Sequence, residues 1–214
     1  MRRPLFVALV LILTGVVLSQ AQTQQSAAGP KRFQLGVGLS YFHPNLDALN
    51  TAYAGAEHVY GLARWPDFAV NYLGEAFIRM RLEPQHLVSA RGAGSFVMRT
   101  RSDDSKSFYT IYRAGLGYDY QAVDAPVRVL VGASAGWLQA NFQRTYGGGD
   151  LSISTAKNTW YVDAGVAAQL PVVINIVLEA DLRYMYAPEV KFGLDEATPK
   201  LRSPAIGISL VFER

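Results

Sequence analysis

Residues 175–184 read NIVLEADLRY, in which Glu179, Asp181 and Arg183 alternate with Leu178, Ala180, Leu182 and Tyr184. Period-two alternation of this kind marks a strand with one apolar and one ionic face. Other segments repeat it. Phe33, Leu35, Val37, Leu39 and Tyr41 share a face against Gln34, Gly36, Gly38 and Ser40. Trp160, Val162, Ala164, Val166, Ala168 and Leu170 oppose Tyr161, Asp163, Gly165 and Gln169. Ile206, Ile208, Leu210 and Phe212 oppose Gly207 and Ser209. Phe68, Val70, Tyr72, Ala76, Ile78 and Met80 form another apolar face, with Asn71, Glu75, Arg79 and Arg81 opposite. Segment 127–142 begins in the same way and loses its pattern after Trp137, as a bulge or an exit from a membrane would produce.

Strands are expected at about 33–42, 68–82, 86–99, 107–121, 127–142, 158–170, 173–187 and 203–213. Each is long enough to cross a hydrocarbon layer as a tilted strand, which takes roughly 9–11 residues. The connections alternate strictly. Segments 83–85, 122–126 and 171–172 are short, whereas 43–67, 100–106, 143–157 and 188–202 are long. A membrane barrel has this rhythm, with short turns on the periplasmic rim and long loops outside. The expected fold is therefore all-β: an eight-stranded antiparallel up-and-down transmembrane β-barrel.

Periodicity does not say which face is inside. Two features decide for a greasy exterior. The polar face is rich in small residues and carries charges of both signs: Glu75, Arg79, Arg81, Arg91, Arg113, Asp119, Arg128, Asp163, Glu179, Asp181 and Arg183. Such residues fit the narrow lumen of an eight-stranded barrel. On the apolar face, Tyr41, Phe68, Phe96, Phe108, Trp137, Trp160, Tyr184 and Tyr186 fall near the long-loop ends, and Phe33, Tyr118, Tyr120 and Phe212 near the short-turn ends. Two aromatic girdles at two membrane interfaces are implied.

Ahead of the barrel, Arg2 and Arg3 precede an apolar run from Leu5 to Leu18, and Ser19-Gln20-Ala21 offers a cleavage site. Residues 1–21 read as a signal peptide, 22–32 as a polar leader and 33–214 as the barrel. Cleavage would remove two of the basic residues behind the formal charge of +3, so no nucleic-acid partner is implied. Without cysteine there is no disulfide framework, which suits a Gram-negative envelope.

With LGVGLSYF (35–42), RAGLGYDY (113–120) and EADLRYMY (179–186), the chain resembles the small eight-stranded outer-membrane barrels. These are the transmembrane domain of outer-membrane protein A and outer-membrane proteins X and W. The resemblance implies a monomer in the outer membrane, in contact with its lipid and lipopolysaccharide and inserted by the barrel-assembly machinery. That machinery reads a terminal aromatic residue in the group; here Phe212 is followed by Glu213 and Arg214.

Chemistry is sparse. His43, His58 and His86 have no serine two residues away on a shared strand face, and no His or carboxylate cluster has metal-ligand spacing. The glycines at 147–149 lack the Lys-Ser/Thr and helix of a phosphate loop. No enzyme activity, metal or cofactor is expected. The lumen charges must be paired or hydrated. They either plug the barrel, giving a structural or surface-interaction protein, or line a narrow channel for small solutes or hydrophobic molecules. In the first long loop, Leu46, Leu49, Ala52 and Tyr53 recur at helical spacing, with Asn45 or Asp47 placed to cap. A short amphipathic helix is expected there, over the mouth or in the interface, where it could frame a site for a small ligand. Cations of the loops, Arg144 among them, are placed to meet lipopolysaccharide phosphates.

Overall fold

A computed structural model describes residues 32–70, 72–149, 151–189, 191 and 197–214. The expected signal peptide, and all of the expected leader except Arg32, lie outside the described residues. The strands are β1 (Phe33–Phe42), β2 (Tyr72–Glu83), β3 (His86–Thr100), β4 (Lys106–Ala125), β5 (Val127–Tyr146), β6 (Leu151–Val173), β7 (Ile176–Tyr186) and β8 (Ser203–Glu213). Each pairs antiparallel with its neighbours in chain order, and β8 returns to β1 to close the ring. The first outer connection carries one helix, α1 (Asp47–Val59). The expected fold class is what the chain adopts.

Closure leaves no free edge through the membrane-spanning part, and every strand there turns a row of apolar residues outside, with a few others, such as Phe77, Leu87 and Leu130, buried within. Leu39 is 64% exposed and Leu116 73%, while Arg79 and Glu179 are both fully buried. A water-soluble domain does not carry an apolar belt of this extent. No helix among the described residues is long and apolar enough to cross a membrane.

The boundaries depart from expectation in informative ways. Strand β2 starts at Tyr72, not at 68, and Phe68 and Val70 are buried instead of facing lipid. The segment 143–157, expected as a loop, is mostly strand: β5 runs to Tyr146 and β6 resumes at Leu151, around a short helical turn at Gly147–Gly149. The turn expected at 122–126 shrinks to Pro126, with a bulge between Gln121 and Val123. The turn expected at 171–172 lies at Ile174–Asn175. Asn175, whose parity with Glu179 and Asp181 places it on the lumen face by sequence, takes a left-handed φ of 68° there, a conformation asparagine tolerates better than most residues.

The strands differ in length, with β3 intermediate at 15 residues. β1, β2, β7 and β8 have 10 to 12 residues, close to what spanning requires. β4 and β5 have 20 each and β6 has 23. The ladder between β6 and β7 stops at Val162–Tyr186, whereas that between β5 and β6 continues to Tyr146–Leu151. Similarly, β2–β3 pairing ends at Gly74–Gly94 and β3–β4 pairing continues to Thr100–Lys106. A four-stranded sheet, β3 to β6, therefore stands above the barrel wall.

In the upper part of β5 the pattern inverts, while β3 and β4 beside it still expose Phe96, Met98 and Tyr112. Below Trp137 the inward residues of β5 are Ser134, Gly132 and Leu130, with Ala135, Ala133 and Val131 outside. Above it, Leu138, Ala140, Phe142 and Tyr146 are buried inside while Gln139, Asn141 and Gln143 face out. The strand crosses this point without a break in register to either neighbour. Exit from the membrane, not a bulge, explains the change: the solvent outside becomes water, so the greasy side turns inward.

Candidate functional site: the lumen and its mouth

The lower lumen is an ion-pair network. Arg79, from the centre of β2, donates from Nη1 and Nη2 to Glu179 at 2.5 and 2.8 Å, and from Nε to Asp119 at 3.0 Å. Asp119 also accepts from Arg91 at 3.2 Å and from Arg183 at 3.3 Å. Arg183 continues to Asp163 at 3.0 Å and lies 3.6 Å from Asp181. Asp163 lies 3.8 Å from Arg113, which is itself paired with Glu75. Five strands thus meet across the lumen through side chains whose lone pairs and protons are largely matched. Phe77 supplies a ring 4.2 Å beneath the Arg79 guanidinium and 5.0 Å from that of Arg91.

The network also reaches the periplasmic rim through residues outside the expected charge set. Gln169 donates to Glu179 at 2.7 Å and to Gln34 at 3.2 Å, and Gln34 donates to Glu213 at 2.8 Å. Glu213 takes Arg128 as its ion-pair partner. Its parity with Ser209 and Gly207 is the signal that places it inside. Arg81 sits at the rim, half-buried, bonded to the Pro84 carbonyl and to Gln121 at 2.8 Å.

Little space is left. A cavity bounded by Glu75, Phe77, Arg91, Arg113, Tyr161, Asp163 and Arg183 offers about 10 Å³, room for about one water. Tyr161 lies across Gly115 and Gly136, where a Cβ would come within 2.5 Å of the Tyr161 hydroxyl or 2.1 Å of the Ala114 carbonyl. Glycine at 115 lets the wall pass this ring, and glycine at 136 lets β5 lie against the backbone of β4.

The upper storey is apolar and is filled by the first loop. Leu49, Ala52, Tyr53, Ala56 and Glu57 form the buried face of α1, at i, i+3, i+4, i+7 and i+8. Leu49, Tyr53 and Ala56 pack with Phe42, Phe68, Val70, Phe142 and Ile153 in one cluster. Phe68, expected at the membrane interface, lies here, 5.1 Å from Tyr53 and 5.2 Å from Phe142 between ring centroids. The expected cap takes another form: Asn45 Oδ1 accepts from the Asp47 amide at 3.0 Å, and Leu46 occupies the N-cap without a side-chain bond. Asn50 fixes the return of the chain, accepting from the Phe68 amide at 2.8 Å and donating to its carbonyl at 3.1 Å.

A buried ion pair locks α1 to the upper sheet. Glu57 Oε1 accepts from Arg144 at 2.7 Å and from the Tyr146 hydroxyl at 2.5 Å, and Arg144 also donates to the Pro66 carbonyl at 2.8 Å. The Arg144 guanidinium lies 4.5 Å over Phe68. Arg144 was expected to face lipopolysaccharide as a loop cation, and it is 1% exposed. The inward parity it shares with Leu138 and Phe142 identifies it. Tyr53 donates to the Phe142 carbonyl at 2.7 Å, and burial pushes its phenol above the ordinary value, against the pull of Arg144.

The remaining aromatics named from sequence all lie on the outer wall, with Phe108 half-buried there: Phe33, Tyr41, Phe96, Phe108, Tyr118, Tyr120, Trp137, Trp160, Tyr184, Tyr186 and Phe212. His86 sits at the periplasmic rim, in contact with the Tyr118 hydroxyl and 3.7 Å from Glu83. His43 stacks on Tyr41, and His58 lies in the last turn of α1. The three histidines are dispersed.

Solved structures share this architecture. Neisserial surface protein A matches with a TM-score of 0.55 at 14% identity, over 85% of this chain and 97% of that one. Ail, the attachment invasion locus protein of Yersinia pestis, crystallised with the heparin analogue sucrose octasulfate, gives 0.55 at 14% identity over 86% and 100%. A major outer membrane protein from Thermus thermophilus gives 0.56 at 12% identity over 87% and 100%. At these identities the likeness is one of fold. No curated protein matches the chain by sequence. The model of the outer membrane protein beta-barrel domain matches residues 8–212, and the chain belongs to that family, whose place is the outer membrane.

Proposed function

We propose that the protein is a monomeric, non-conducting outer-membrane barrel that acts as a rigid base for the sheet β3–β6, a surface for interaction outside the cell. The observation that carries this reading is the double closure of the lumen. Arg79, Asp119 and Glu179 bridge its lower half, and α1 with Phe68 fills its upper half. An ion crossing it would have to separate buried, paired charges and then pass an apolar layer, and each step opposes conduction. Planar-bilayer recording with the purified protein tests this. The expected trace shows no stable unitary conductance; a steady conductance altered by Arg79→Ala would establish a channel instead. The basic and apolar start of the chain supports export through a cleaved signal peptide. N-terminal sequencing of the protein from outer membranes should then begin at Gln22.

A further inference from the structure

The lipid-facing wall and the upper sheet meet without interruption on β4, β5 and β6, and the residues change character in register. In the membrane, two paired rows run Leu116–Ala135–Val162–Tyr186 and Tyr118–Ala133–Ala164–Tyr184. The small side chains of Ala133, Ala135 and Ala164 floor an apolar groove of about 670 Å³, walled by larger residues of β4 and β7. Directly above, Trp137 pairs with Trp160, 44% and 54% exposed. Above the indoles the next rows are Tyr112–Gln139–Asn158 and Thr110–Asn141–Ala156, followed by Gln143–Ser154. Apart from Ala156, the outward positions of β5 and β6 between Trp137 and Trp160 carry amides and hydroxyls, and none carries a charge. Gln143 bonds within the face, to Ser152 at 2.9 Å, while Asn141 Oδ1 is itself buried and without a partner.

We propose that this wall is a binding site for a glycolipid of the outer leaflet, with an acyl chain in the alanine groove and neutral sugars on the amide face. Amides and hydroxyls set in a flat array match the alternating donors and acceptors of a sugar, and the indoles offer it apolar platforms where the acyl region ends. Along β5 and β6 the outward positions stay uncharged, and Lys106 of β4 stands only at the top of the face, opposite Thr145, which points to the sugars of the headgroup and not to its phosphates. From Ala133 to Gln143 the strand runs ~33 Å, enough for an acyl chain followed by a saccharide. The site names a partner for the sheet in the reading above. It requires the membrane placement but not a closed lumen, so conductance and lipid binding fail separately.

Native mass spectrometry of the folded protein in detergent, offered core-bearing lipopolysaccharide and a diacyl glycerophospholipid in competition, tests the site. The wild type should retain the glycolipid in preference. The variant Gln139→Ala/Asn141→Ala/Asn158→Ala should lose that preference by roughly ten- to a hundredfold, the range for three hydrogen bonds, while still holding phospholipid. Ala133→Phe with Ala164→Phe, which fills the groove, should weaken retention of both lipids. Heat-modifiable gel migration confirms that each variant is folded, and the single change Asn158→Ala, on the exposed face of β6, should give a smaller loss in the same direction. Equal retention of the two lipids by the wild type, or an unchanged triple variant, overturns the proposal. So does free core oligosaccharide binding as tightly as the glycolipid, or a dimer of this chain that the triple variant abolishes.

Discussion

At the residue scale, the account turns on Arg79, whose guanidinium serves both Glu179 and Asp119 with none of its surface exposed. Arg79→Met leaves two buried carboxylates without their main partner and should cost roughly 3–5 kcal/mol in denaturant unfolding from lipid vesicles. Arg79→Met with Glu179→Leu should recover most of that loss, because Asp119 keeps Arg91 and Arg183. Equal losses in the single and double variants would show that the pair is not coupled. Gly136→Val should abolish the heat-modifiable folded form, since its Cβ meets the Ala114 carbonyl and, at 2.4 Å, the Gly115 Cα, neither of which can swing away. Gly55→Ala, on the exposed side of α1 with nothing within 4 Å, should be tolerated or stabilise by up to about 1 kcal/mol. Arg79 was legible in the sequence because it interrupts an apolar alternation at a fixed parity. Glu57 and Arg144 were not, since a carboxylate and a guanidinium 87 residues apart reveal their pairing only when α1 folds into the mouth.

At the element scale, the helix shows what periodicity can and cannot reveal. The spacing of Leu49, Ala52 and Tyr53 was enough to place α1, and its buried face is the one that spacing names. The stretch from Phe68 to Val70 has the same period as β2, which follows it, yet it packs inward beneath the upper sheet. Alternation identifies two faces and leaves their solvents unnamed, so the inversion above Trp137 hid the plug among readings of lipid contact. Glu57→Ala removes the partner of a buried arginine and should free the helix. In hydrogen–deuterium exchange, amides of 47–59 should lose protection while those of β1 and β7 keep theirs, because the barrel ladders do not involve α1. Loss of protection throughout the barrel would mean that the plug holds the wall together.

At the scale of the whole molecule, one set of strands passes through two solvents and is built for each in turn. Eight strands close the wall, short turns hold the periplasmic rim, and four strands continue outward as a sheet that α1 and its loop line from within. The strand count and the apolar exterior followed from alternation and from the girdle aromatics. The height of the sheet did not, because its polar outer face resembles loop sequence. The central claim is that the lumen is sealed from water although it is lined by charge, and that the membrane ends at Trp137. The chain has no cysteine, so single-cysteine variants along β5 report without background. The most direct measurement is their labelling by a membrane-impermeant thiol reagent in intact cells. Gln139→Cys, Asn141→Cys and Gln143→Cys should react. Ala133→Cys and Ala135→Cys, in lipid, and Ser134→Cys and Ala140→Cys, in the two storeys of the interior, should not. Labelling of Ser134→Cys as fast as Asn141→Cys would contradict the account and show a lumen open to water.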